Sequence, residues 1–149
     1  MEQENFIQEV GWQKFKADDY SYEKVRAFVE NSLEDLEISP KIQLKVMLGF
    51  EETMENIINY AYSDPEVFCP VWLKLTKTNE KLSLDMVDYG VPFDPLAQED
   101  ARPKEKNLQD RRLGGYGIHL LKATFSEVGY VYENFKGQMA NHLTLTINL

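Results

Sequence analysis

The chain reads as an α+β domain in which a single sheet is covered on one face by helices. Three features of the sequence carry this reading. Residues 22–37 and 40–62 place apolar side chains at helical spacing. Segments rich in β-formers come in pairs joined by short polar turns. A third helical pattern starts at a glycine cluster, Gly114-Gly115-Tyr116-Gly117, between the two strand pairs.

The elements follow in order. Asn5–Lys16 alternates loosely through Phe6, Val10, Trp12 and Phe15, as an opening strand would. Asp18-Asp19-Tyr20-Ser21 is rich in helix-capping residues. Tyr22, Val25, Phe28, Val29, Leu33 and Leu36 then mark a helix to about Glu37. Ser39-Pro40 opens the next one, with proline where its missing N–H does no harm. Ile42, Val46, Phe50, Met54, Ile57 and Ala61 carry it to about Tyr62, and Ser63-Asp64-Pro65 stops it. Cys69–Lys77 and Leu82–Val87 form a hairpin about Thr78–Lys81, closed by Asp88-Tyr89-Gly90. The polar stretch that follows has little apolar content to pin it down and reads as a lid over about 96–114. Tyr116–Thr124 is helical, and Glu127–Asn134 and Met139–Leu149 pair about Phe135–Gln138. The whole of 1–149 forms one domain without internal repeats.

Composition narrows the function. Hydrophobic residues make up 43% of the 149, enough for one core. The 25 acidic and 16 basic residues give a net charge of −9, which disfavours direct binding of DNA or RNA. Such a surface suits a basic protein partner, or serves solubility alone. No apolar run approaches the roughly 20 residues of a membrane span. The acidic start, Met1–Asn5, is unlike a signal peptide, and Cys69 is the only cysteine, so a reducing cytoplasm is the expected compartment. His119, His142 and Cys69 offer no zinc spacing.

Three polar clusters carry chemistry. Glu52, Glu55, Asn56 and Asn59 share one side of the second helix. An asparagine carbonyl is a hard ligand suited to Mg²⁺, and a carboxylate nearby can take a proton from an attacking hydroxyl. Spacing alone leaves Glu52/Asn56 and Glu55/Asn59 as equal alternatives. Asp88-Tyr89-Gly90 ends an apolar strand, where Asp88 can accept from an exocyclic amine such as that of adenine, and Gly90 lets a base come close. Gly114, Gly115 and Gly117 open a helix whose free N–H groups attract phosphate, with Arg111 and Arg112 just upstream as guanidinium partners.

In this order, the clusters resemble the histidine-kinase-like ATPase superfamily. Glu51–Tyr62 is similar to its N-box, Asp88–Pro95 to its adenine-contacting box, and Leu113–Leu121 to its second glycine box. The Pro92-Phe93-Asp94-Pro95 extension and the Gly-Gly-Tyr-Gly-Ile-His-Leu-Leu run resemble the bacterial anti-sigma factor serine kinases of the RsbW type. The resemblance spans roughly residues 10–149. It implies a Bergerat-type two-layer α/β sandwich with a mixed, mostly antiparallel sheet and helices on one face. It favours Glu52 as the catalytic carboxylate and Asn56 as the Mg²⁺ ligand, because Tyr60-Ala61 then falls in register. It implies ATP contacts from Asn56, Asp88, Gly90, Arg112, Gly114, Gly115, Tyr116, Gly117 and Ile118, and from Thr144, with Thr146 as the alternative threonine. It further implies a homodimer that sequesters a sigma factor and phosphorylates an anti-sigma antagonist on serine. Ser126 stands where that branch has aspartate. A non-catalytic module that only sequesters its partner is the alternative, and Glu52 argues against it.

Overall fold

The structure, a computed structural model, describes residues 6–62, 69–97 and 115–149. Five strands form one sheet: β1 (Gln8–Lys16), β2 (Pro70–Lys77), β3 (Lys81–Asp88), β4 (Glu127–Phe135) and β5 (Gln138–Asn148), in the order β1-β2-β3-β5-β4. All four pairings are antiparallel, so the sheet is not mixed among the described residues. Helices α1 (Tyr22–Asp35), α2 (Pro40–Asn56) and α3 (Gly115–Thr124) supply the second layer.

Local chemistry sets the boundaries. The Asp18 side chain accepts from the Ser21 N–H at 2.8 Å ahead of α1. That helix ends earlier than its apolar spacing suggests, because Glu37 adopts φ 57° and the Ile38 N–H turns back to the Leu33 carbonyl. Ser39 caps α2 through its Oγ and the Ile42 N–H, and Pro40 takes the first helical position. Beyond Asn56 the helix widens into a π turn over Ile57–Ala61, so the single long helix expected to Tyr62 changes character in its last turn. At the β4–β5 hairpin, Lys136 and Gly137 both have positive φ, as a two-residue turn matching the twist of the strands requires.

The core lies between the layers. Val25, Val29 and Leu33 of α1, Val46, Phe50 and Met54 of α2, and Ile118, Leu121 and the adjoining Phe125 beside α3 are buried there. They meet Leu73, Leu75, Leu84, Met86, Leu143 and Leu145 from the sheet. The alternation along β3 decides what each residue faces: Leu82, Leu84, Met86 and Asp88 point to one side, Ser83, Asp85 and Val87 to the other. The far side carries Trp12, Trp72 and Phe135, whose rings meet edge-on at 4.9 and 5.6 Å between centroids, with Lys14, Lys74 and Lys136 over the tryptophans.

Candidate functional site

Asp88 continues the inward series of β3, so the strand delivers a carboxylate to the edge of an apolar layer. It is 6% exposed, and this burial raises its pKa, with the bonds from Asn141 and the Gly90 N–H acting in the opposite sense. Its Oδ1 accepts from the Gly90 N–H at 2.9 Å and from Asn141 Nδ2 at 3.0 Å. Its Oδ2 accepts nothing among the described residues. Asn141 lies directly opposite on β5. Its Oδ1 accepts from the Phe93 N–H at 3.0 Å and from the Tyr130 hydroxyl, while Nδ2 also reaches the Val91 carbonyl at 2.9 Å. One asparagine thus fixes both Asp88 and the turn that follows it.

The π turn brings the end of the α2 segment against that same turn. The Ala61 carbonyl accepts from the Val91 N–H at 3.0 Å, and Gly90 lies so close that a Cβ there would strike the Ala61 carbonyl oxygen. The Tyr62 hydroxyl accepts from the Tyr89 N–H at 2.7 Å and donates to the Pro70 carbonyl at 2.6 Å, which ties β2 in as well. Burial raises the Tyr62 pKa, so it stays a neutral donor.

These elements enclose one cavity. Asp88 and Asn141 line it together with Thr53 and Asn56 of α2. Ile57, Ala61, Met86, Leu121 and Leu143 supply its apolar walls, and Phe93, Pro95 and Tyr130 stand at the side of the turn. Apolar walls with a few convergent polar groups are the makeup of a small-molecule site. Glu55 and Asn59, the alternative pair, line a different groove with Asp19, Tyr22 and Glu51. The two pairs that spacing left equal therefore face different sides of the helix.

Glu52 lies one turn before Asn56 and meets α3. A Cβ on Gly117 would strike the Glu52 carboxylate, so this glycine makes room for it. Gly115 and Tyr116 open α3, and Ile118 is buried in the core, 5% exposed, where it anchors that first turn. Arg111, Arg112, Gly114 and most of the lid expected at 96–114 lie outside the described residues. At its start, Pro95–Ala97 forms a short 3₁₀ turn.

Thr144 does not join this group. Its Oγ1 donates to Asp85 at 2.8 Å on the far side of the sheet, where His142 Nε2 also meets Asp85 at 2.7 Å. Thr146 lies on that side too, with its hydroxyl 2.9 Å from Ser83 Oγ. The β5 residue facing Asp88 is Asn141, which the sequence reading did not single out. The signal was available: Asn141 shares the period-two series of Leu143, Leu145 and Ile147, whereas Thr144 and Thr146 fall between them.

Residues 15–147 match the family model of the histidine kinase-like ATPase domain. The chain belongs to that family. No curated protein matches it. Among solved structures, a chain of the SiaB–SiaC complex from Pseudomonas aeruginosa is similar, with a TM-score of 0.63 and 14% identity over 93% of this chain and 89% of that one. The structure of the RsbU and RsbW domains of Rv1364c from Mycobacterium tuberculosis gives a TM-score of 0.57 and 15% identity, covering 93% of this chain and 32% of that one. This chain spans about a third of the latter protein. Both share the fold of the histidine kinase-like ATPase domain seen here. No helix among the described residues is long and apolar enough to cross a membrane.

Proposed function

We propose that the chain is an ATP-dependent protein serine kinase that acts as an anti-sigma factor. One observation carries the reading: Asn56, Asp88 and Asn141 line a single cavity whose helix also presents Glu52 to the glycine turn of α3. The purine end falls to Asp88, with its open Oδ2 ready to accept an exocyclic amine. Asn141 and the Gly90 N–H orient that carboxylate through its other oxygen. The phosphate end falls to the backbone N–H groups of Gly115, Tyr116, Gly117 and Ile118, which open α3. Gly114 and Arg112 precede that turn and would add an amide and a guanidinium.

The residues suit a Mg-nucleotide. Among the described residues no group of three or more His, Cys, Asp or Glu converges. A magnesium ion held by the Asn56 carbonyl oxygen would therefore complete its shell from phosphate and water, as that ion ordinarily does. Bound Mg-ATP supplies a transferable phosphoryl group with its charge partly neutralised. Glu52 receives the proton of the attacking serine hydroxyl, and the α3 turn holds phosphate oxygens without needing to reorganise.

The substrate is a serine of an anti-sigma antagonist, and the sequestered client is a sigma factor; the net charge of −9 suits a client that presents basic residues. A homodimer in the cytoplasm is the working assembly. Incubation with labelled ATP, Mg²⁺ and small proteins encoded beside this gene should label a serine, and Glu52→Gln should abolish the label. Nucleotide-dependent thermal stabilisation without labelling of any neighbour would favour a module that binds without transferring phosphate.

A further inference from the structure

Thr53 sits one residue after Glu52 on α2 and lines the same cavity as Asp88 and Asn141. It is 6% exposed, and its Oγ1 has no hydrogen-bond partner among the described residues. Buried hydroxyls almost always find a partner, because losing water without replacement costs about 1–3 kcal/mol. In a helix, a threonine ordinarily satisfies itself by bonding to a carbonyl three or four residues back. Ser32 does this in α1, where its Oγ donates to the Phe28 carbonyl at 2.6 Å. Thr53 does not. A valine would fill the same space without an orphaned group, so packing alone gives no reason for the hydroxyl.

The geometry points to Thr53 as a base-recognition residue, its hydroxyl donating to a ring nitrogen of the 6-aminopurine whose amine Asp88 accepts. This rests on the nucleotide reading above and adds to it the group that binds the ring. Among the described residues, two polar atoms left open on the cavity wall complement each other: the Asp88 Oδ2 can only accept, and the Thr53 hydroxyl can donate. An adenine edge offers a donor and an acceptor in return, from its amine and a neighbouring ring nitrogen. A guanine offers a carbonyl where the amine would be, which sets an acceptor against the Asp88 carboxylate.

Two variants of the full chain test this, with Mg-ATP affinity measured by titration calorimetry and melting measured without nucleotide. Thr53→Val keeps the shape and removes the hydroxyl. It should weaken ATP binding by about three- to tenfold, the range of one net hydrogen bond. It should melt at the same temperature as the parent or higher, since the orphaned group is gone. Thr53→Ser should bind within about twofold of the parent, since its hydroxyl still makes the one net bond that Thr53→Val loses. Unchanged ATP affinity in Thr53→Val, with the parent binding normally, overturns this inference and leaves the nucleotide reading intact. A clear fall in the nucleotide-free melting temperature of Thr53→Val also overturns it, because the hydroxyl would then serve the fold. A parent chain with no measurable ATP affinity overturns both.

Discussion

Two aspartates three residues apart on β3 meet opposite fates. Asp85 and Asp88 are similarly buried, at 8% and 6% exposure. Asp85 points to the far side of the sheet, where His142 and Thr144 both bond to its Oδ1. Although burial opposes ionisation, these partners hold its pKa below the ordinary 3.8. Asp88 points into the helical layer, meets only neutral donors, and has its pKa raised by burial. Asp85 is already matched by groups of the fold, whereas Asp88 is held in place but left with an open oxygen. A saturated carboxylate stabilises structure; an oriented and unsaturated one is ready for a ligand.

The largest expected effect separates them by function. Asp88→Asn places an amide where the amine of the nucleotide donates, and should weaken ATP binding by about a hundredfold, some 2.7 kcal/mol. Asp85→Ala should leave that affinity within about twofold while lowering stability by about 1–3 kcal/mol, because His142 and Thr144 lose a shared acceptor. Titration calorimetry and denaturant unfolding read the two quantities independently. Equal loss of affinity in both variants would break the contrast.

The next effect tests how the open carboxylate is held. Gly90→Ala must push the Ala61 backbone away from the Asp88 turn, and overpacking of this kind costs about 1–3 kcal/mol. Nucleotide affinity should fall along with stability, since the Val91–Ala61 bond joins the turn to the N-box helix. Gly117→Ala meets only the flexible end of Glu52. Its melting temperature should stay near the parent's while phosphotransfer drops. If Gly90→Ala melted like the parent, the close approach would have no mechanical role.

The contrast also shows what the sequence disclosed. Element types followed from periodicity, and the order of elements identified a helix-covered sheet, because amphipathic patterns are local. Asp88 stood out at the end of an apolar strand. Spacing left Asn56 and Asn59 equal, because it does not contain which flank of α2 meets the sheet; the resemblance favours Asn56, and Asn56 is the one that lines the cavity with Asp88. Thr144 lies outside the cavity for a different reason. Strand parity puts it opposite the apolar residues of β5, but a threonine was sought there by resemblance, and asparagine fills the role of partner to Asp88. The π turn at Ile57–Ala61 has no pattern of its own, since its residues continue the helical spacing. It coincides with a tertiary contact, the Ala61 carbonyl at its end accepting from the Val91 N–H.

The smallest effect, and the sharpest comparison, is in pH. Asp88 must be ionised to accept the amine, and its raised pKa means protonation begins above the ordinary carboxylate value of 3.8. Below that raised pKa, affinity should fall by up to about tenfold per pH unit, the slope of one proton. The fold should not fail with it. Protonating Asp88 favours the native state, which binds that proton more tightly than the unfolded chain does. Asp85 contributes stability that is fully present above 3.8 and lost only as pH drops through its lowered pKa. His142, raised above 6.5 chiefly by its bond to Asp85, contributes below 6.5 and loses that contribution as pH climbs through its raised value. Acidification from neutrality should therefore remove nucleotide binding first, while the Asp85–His142 pair is at full strength. His142→Gln should flatten the alkaline decline in stability and leave the acid loss of affinity unchanged. Binding and melting curves that decline together with acid would mean that the two carboxylates share one environment, and the distinction between the faces of β3 would fail.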